Sequence, residues 1–238
     1  MTRIIESENF IALWKSYDDV WISTNGVYIT AALRNPFVNS SRLLGRLPLA
    51  KGTQQLLFPF LFELLFKPTR VVSQGVEQIL RTKHKQLTCL HIRLGKNPSN
   101  PLDPAKPARI NMTRKMLDFL YDNPSLASTQ GTLIFVSSDS DRAITEVRQH
   151  FPNSSITVPG PIMHIDHHNK KTVREYDKKK ICAGLVKALT DFYVLGECQV
   201  ILLSYSGFSA WANRRRSNPN DKLFMYYDRL GTIRRATM

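Results

Sequence analysis

Residues 191–209 read Asp191-Phe-Tyr-Val-Leu-Gly-Glu-Cys-Gln-Val-Ile-Leu-Leu-Ser-Tyr-Ser-Gly-Phe-Ser209, with a near-continuous apolar run at 199–203 followed at once by small polar residues. A short run of Val, Ile and Leu of this kind reads as a strand buried on both faces. The next six residues, Ser204 to Ser209, read as a tight turn, and 210–216 as the opening of a helix. A strand, a small-residue turn and a helix start gather several backbone N–H groups at one point, where the helix dipole adds positive potential. This stretch predicts an anion site of the size of a nucleotide phosphate.

Outward from it, the second half of the chain alternates strands and helices. Strands are expected at 87–94, 132–137, 155–158, 199–203 and 222–227. Helices are expected at 111–121 with Asn111 as N-cap, at 140–150, and at 172–195 ending on Gly196. Apolar strands separated by helices imply an α/β fold with a Rossmann-like, mostly parallel sheet covered on both faces. The dinucleotide fingerprint of such folds is missing. The first 85 residues are less regular. Helices are expected at 10–17, 56–66 and 69–83, with a break at Pro68, and short strands at 20–24 and 27–30. Four prolines in 96–108 predict an extended loop.

Composition narrows the partners. The chain has 238 residues, and 33 Lys and Arg against 19 Asp and Glu give a formal charge of +14, which favours anionic partners. The longest greasy stretch, 56–66, is too short to span a bilayer and carries Pro59 and Glu63. The opening residues have no apolar segment of the secretory type. Three N-x-Ser/Thr triplets, at Asn39, Asn111 and Asn153, would be usable in the secretory pathway. Cys89, Cys182 and Cys198 show no metal-ligand spacing and read as buried, inert thiols; a Cys89–Cys198 bridge between neighbouring strands is the open alternative.

In open α/β sheets ligands bind beyond the carboxyl ends of the strands. Here those ends carry His91-Ile92-Arg93-Leu94-Gly95, Ser137-Ser138-Asp139-Ser140-Asp141 and the 204–209 turn. His91 and Arg93, two apart, face one side of a strand. Arg offers a planar fork matched to phosphate oxygens. Each residue also has a plainer reading: Arg93 in a surface ion pair, His91 as a satisfied core histidine, Asp139 and Asp141 as helix caps, and Asp191 as a helix-face charge.

These three segments, in this order, resemble the three peptide motifs of the GDP-fucose-dependent fucosyltransferases. That superfamily holds protein O-fucosyltransferases, α1,6-fucosyltransferases and rhizobial nodulation enzymes. The resemblance covers about 85–230 and implies the donor-binding half of a GT-B fold, with 86–238 as the nucleotide-sugar domain and 1–85 as an incomplete acceptor-side region. It implies inverting fucose transfer from GDP-fucose to a glycan or protein hydroxyl, with no metal and no further cofactor. On this sequence, Arg93 would be the catalytic group at the β-phosphate, and Ser206, Gly207, Phe208 and Ser209 would cradle the same phosphate. Asp191 would accept from the guanine edge in a bidentate manner, and His91 and Asp139 would complete the nucleotide site. The His-x-Arg-x-Gly form, with Leu94 where α1,6-type enzymes carry a second arginine, lies nearer the O-fucosyltransferases. The family also implies a secretory, Golgi location for a glycoprotein.

Two other readings stand beside this one. One is an inactive relative that binds a GDP-sugar or an acidic glycan. The other is a basic nucleic-acid-binding protein, which lacks the interleaved aromatics such a surface needs. The cluster His164-Ile165-Asp166-His167-His168 reads as a loop near donor or acceptor, or as a solvated loop, ahead of a metal site. Lys178-Lys179-Lys180 reads as a solvated helix face, and Arg214-Arg215-Arg216 as an extension of the phosphate turn's field.

Overall fold

The computed structural model describes residues 6–17, 34–39, 62–82, 84–95, 106–127, 130–163 and 178–237, together with Pro59 and Asp103. The chain divides into two compact units, Met1–Leu61 and Phe62–Met238. In the first, a short helix at Phe10–Trp14 is capped by Asn9, whose side chain accepts from the Ala12 N–H at 3.1 Å. Asn35 ties a second short helix, Pro36–Asn39, to the Glu8 carbonyl. The strands expected at 20–24 and 27–30 lie outside the described residues.

The second unit holds a six-stranded sheet: β1 (Gln86–Ile92), β2 (Thr132–Ser138), β3 (Ser155–Ile156), β4 (Val200–Ser204), β5 (Leu223–Tyr227) and β6 (Thr232–Arg235). Its order is β3-β2-β1-β4-β5-β6, all parallel except β6, which returns antiparallel beside β5. Among the described residues, the helices that accompany it include α1 (Arg70–Leu80), α2 (Met112–Asp122), α3 (Asp141–His150), α4 (Lys178–Leu195) and α5 (Gly207–Arg214). The α/β class and the mostly parallel sheet are as the sequence indicates. The unit begins upstream of residue 86, because α1 packs against α4.

The period-2 alternation of the strands sorts the core into two layers. Leu90, Ile92, Ile134, Val136, Val200 and Leu202 face one side, with Met116, Leu117 and Leu120 of α2 and Ile144 and Val147 of α3. Leu87, Cys89, Leu133, Phe135, Ile201 and Leu203 face the other, with Ile79 of α1, Val194 and Leu195 of α4 and Ala212 of α5. Each such fully buried aliphatic side chain contributes roughly 1.5–3 kcal/mol. His91 and Ser137 continue the second series, so they point toward the layer that contains α4 and α5. The chain winds one way from β1 through β2 to β3 and then starts again on the other side of β1 with β4. The switch point, where a crevice opens between strand ends, therefore lies between β1 and β4.

Several local expectations change. Cys89 and Cys198 form a disulfide with Cα atoms 6.0 Å apart, in place of inert thiols. Pairing of β1 with β4 sets Cys89 beside Ile201, which brings Cys198, two residues before β4, within bonding reach. Cys182 is a free thiol and is exposed. Within the proline-rich loop, Pro107–Arg109 makes one turn of 3-10 helix. Asn111 occupies the N-cap position of α2 without a side-chain capping bond. The expected strand at 155–158 shortens to two residues, and β6 joins the sheet although the sequence reading ends at 227.

Candidate functional site

Three strand ends open into a cavity of about 410 Å³ at the switch point. Seven of the eight residues singled out from the sequence line it: His91, Arg93, Asp139, Asp191, Ser206, Gly207 and Phe208. The eighth, Ser209, is fully buried, and its hydroxyl donates to the carbonyls of Ser204 and Ser206, both at 3.3 Å. It fastens the turn from behind and does not face the cavity.

At one end stands Arg93, just past β1. Its guanidinium pairs with Asp139 through one terminal nitrogen and with Asp103 at 2.9 Å through the other. Asp139 also accepts from the backbone N–H groups of Leu94 and Gly95, both at 2.8 Å. Asp139 therefore holds the exit of β1 and does not cap α3; that task falls to Ser140, which accepts from the Ala143 N–H. Asp141 lies in the first turn of α3. The Arg93 N–H donates to Ser204 Oγ at 2.9 Å, which joins the ends of β1 and β4 directly.

Beside Arg93, Ser206 is the N-cap of α5 and Gly207 its first residue. A Cβ placed on Gly207 would meet nothing within 4 Å among the described residues. The N–H groups of the first turn of α5 have no intrahelical acceptor, the arrangement that receives an anion.

The other end is lined by α4. Asp191 is buried, and its Oδ2 accepts from Ser137 Oγ and Lys187 Nζ, each at 3.0 Å. Its Oδ1 is buried and has no hydrogen-bond partner among the described residues. Burial pushes the Asp191 carboxyl up to about 6, against the opposing pull of the Lys187 charge and of the bonds from Lys187 and Ser137. Oδ2 already accepts two bonds, so bidentate acceptance by this carboxylate would require Oδ2 to give up Ser137 or Lys187.

His91 lies between the two ends, with Nδ1 3.3 Å from Ser204 Oγ and its ring centroid 5.6 Å from that of Phe208. Burial, reinforced by the positive charges of Arg93 and Arg109, lowers its pKa to about 3, so the ring is neutral. The far wall comes from Pro161, Ile162 and Met163, which approach α4 closely at Gly184. A Cβ there would come within 2.1 Å of the Met163 side chain, so this wall depends on glycine.

Two residues, one lining the cavity and one behind its wall, carry no site signal in the sequence. Lys187, buried one turn before Asp191, looks like any lysine in a helix that also carries Lys178 to Lys180. Arg109, buried at 1% exposure, directly follows the stretch expected to be an extended loop. Only its place among prolines beside apolar Ile110 distinguishes it in the sequence. The arginine triplet at the end of α5 serves the fold instead of the cavity. Arg214 lies over the Trp211 ring at 4.4 Å, Arg215 pairs with Glu63 at 2.7 Å, and Arg216 donates to the carbonyls of Cys198, Gln199 and Asp221. The triplet begins at the far end of an eight-residue helix, about 12 Å from the turn. The cluster 164–168 lies outside the described residues. Among the described residues, no group of three His, Cys, Asp or Glu could hold a metal ion, and no helix is long and apolar enough to cross a membrane.

No protein-family model and no curated relative matches the sequence. Solved structures do match in three dimensions. A mutant of Arabidopsis thaliana FUT1 in complex with GDP aligns over 94% of this chain and 47% of its own, at 13% identity and a TM-score of 0.58. NodZ α1,6-fucosyltransferase soaked with GDP-fucose aligns over 71% of this chain and 49% of its own, at 14% identity and a TM-score of 0.45. The apo form of POFUT1 aligns over 92% and 67%, at 14% identity and a TM-score of 0.45. The chain has a fucosyltransferase-like α/β fold and spans about half the length of the FUT1 and NodZ chains it matches.

Proposed function

We propose that this cavity binds GDP-fucose and that the chain belongs to an enzyme transferring fucose, with inversion and without a metal, to a glycan or protein hydroxyl. One observation carries the reading. A single cavity has an arginine and an open helix start at one end and an unpartnered, buried carboxylate oxygen at the other. A guanosine diphosphate has the matching pattern of N–H donors on the base edge and negative charge on the phosphates. Arg93 and the N–H groups of Ser206 to Phe208 meet the diphosphate, and a β-phosphate oxygen takes the place of Asp103 on the Arg93 fork. Asp139, anchored by two backbone N–H groups, stays and keeps the guanidinium aimed. Asp191 Oδ1 accepts from the guanine edge, while neutral His91 lines the middle of the site without adding charge.

Chemically, the sugar departs as an oxocarbenium-like species and leaves negative charge on GDP. Fixed donors already aimed at the diphosphate stabilise that charge without reorganising. The disulfide is a bond that persists in oxidising compartments, which supports a secretory, Golgi setting for a glycoprotein. The test is thermal and catalytic. Saturating GDP raises the melting temperature, ADP does so less, and Arg93→Ala removes the GDP shift. Absence of any shift with GDP overturns the reading. Release of GDP from GDP-fucose in the presence of a glycan or peptide acceptor separates a transferase from an inactive GDP-sugar-binding relative.

A further inference from the structure

Arg109 is among the largest fully buried side chains of the described residues, and no role follows for it from the strand-end motifs. It stands at the end of the 3-10 turn Pro107–Arg109, and Tyr226 Oη, donating to the Ala108 carbonyl at 3.0 Å, pins that turn against β5. Its guanidinium reaches three segments at once. Nη1 donates to the Arg93 carbonyl at 2.6 Å, and Nη2 to the Tyr205 carbonyl at 3.0 Å. Nε and Nη2 grip both carboxylate oxygens of Asp228, in the turn between β5 and β6, at 2.7–2.9 Å.

The two carbonyls decide what this grip does. In a trans peptide the C=O and the following N–H point in opposite directions, and the described residues contain no cis bond. The consequence is visible at the first carbonyl. Arg109 holds the oxygen of Arg93 on one side, and the Leu94 N–H emerges on the other, donating to Asp139 at 2.8 Å. At the second carbonyl the same geometry applies. With the Tyr205 oxygen held by Arg109, the Ser206 N–H is turned the opposite way, at the N-cap of α5 beside the cavity.

Resting on the GDP-sugar reading above, we propose that Arg109 is a positioning residue: by clamping the carbonyls of Arg93 and Tyr205 to Asp228 it presets the strand-end backbone that receives the diphosphate. It touches no substrate. It acts through the Ser206 peptide and the Arg93 main chain, so its effect is confined to the phosphate end and leaves the Asp191 end alone. A lysine there keeps the charge but offers one point of donation where the fork offers several fixed ones.

The test compares two ligands on the same proteins. GDP engages both ends of the cavity, and guanosine engages only the Asp191 end. Arg109→Lys is expected to weaken GDP binding at least about tenfold, the worth of a misaimed donor to a charged group, with guanosine affinity within about twofold of wild type. Asp228→Asn, at a partly exposed carboxylate, keeps the fold and weakens the clamp, so it shifts the GDP-to-guanosine ratio in the same direction by less. Should Arg109→Lys fail to fold, Asp228→Asn alone decides, read from the same ratio. An unchanged ratio in the folded variants, or an equal loss for both ligands, overturns the positioning role while wild-type GDP binding stands. No GDP binding by wild type overturns the donor-site reading, and the positioning role with it.

Discussion

Breaking the Cys89–Cys198 disulfide is the perturbation whose size the structure fixes best. The bridge closes a loop of 109 residues that contains β2, β3, α2, α3 and all of α4. For a loop of that length, the unfolded chain loses about 16 cal/mol/K of entropy when cross-linked, or about 5 kcal/mol at 25 °C. Replacing both residues by alanine also removes two sulfur atoms from the layer between the sheet and α4, worth roughly another 1 kcal/mol. Against a domain stability of about 5–15 kcal/mol, that is a third of the total or more. Equilibrium unfolding in urea, followed by tryptophan fluorescence, measures it for wild type with and without a thiol reductant and for the double alanine variant. With a slope of about 2 kcal/mol/M, the midpoint should fall by about 2 M on reduction. The slope itself should rise, because the reduced unfolded chain is more expanded. A shift below about 0.5 M, or one of the same size in a variant that lacks both cysteines when reductant is added, refutes the cross-link argument. Affinity for GDP at low urea should be kept, because the bridge lies below the strand end that carries the site.

Gly207→Ala tests the open helix start. The added methyl meets nothing among the described residues, so stability should rise by about 0.5–1 kcal/mol, while the methyl in the phosphate's place weakens GDP; a variant that binds GDP as wild type does would move the phosphate elsewhere. The Asp191 carboxyl gives a pH signature. It titrates near 6 in the free protein, and only its ionised form accepts from a base N–H, so guanosine affinity should fall by about tenfold per pH unit below that point. Lys187→Met removes the cation that favours ionisation and should move the midpoint upward; NMR titration with guanosine, which has no phosphate to titrate, reads both, and a flat profile from pH 5 to 7.5 refutes the contact. The same group lowers stability as pH rises from 3.8 to about 6, because over that window the folded carboxyl keeps a proton that the unfolded one has released.

What the sequence determined by itself is local and periodic. The apolar runs set the strands, and their alternation sets which face each residue takes. Small residues after the 199–203 run force a turn into a helix, and polar residues at three strand ends mark the site edge. Seven of the eight residues chosen on that basis share one cavity, because a parallel α/β sheet sends all its strand ends to the same side. What those patterns do not encode is which strand neighbours which, and the chemistry of the site turns on it. Order β3-β2-β1-β4 puts Ser137 beside His91 and Ser204 next to the Arg93 N–H. Arg93 and Asp139 are 46 residues apart, Arg93 and Ser204 are 111 apart, and Arg109 and Asp228 are 119 apart. Side-chain pairs so distant in the chain have no local period to betray them. Asp139 reads equally as a helix cap until β1 and β2 lie in register. Arg109, between the proline-rich stretch and α2, carries no signal of its own until three segments close around it. A buried charge is tolerated only where its partners have been brought together, and bringing them together is what the tertiary structure decides.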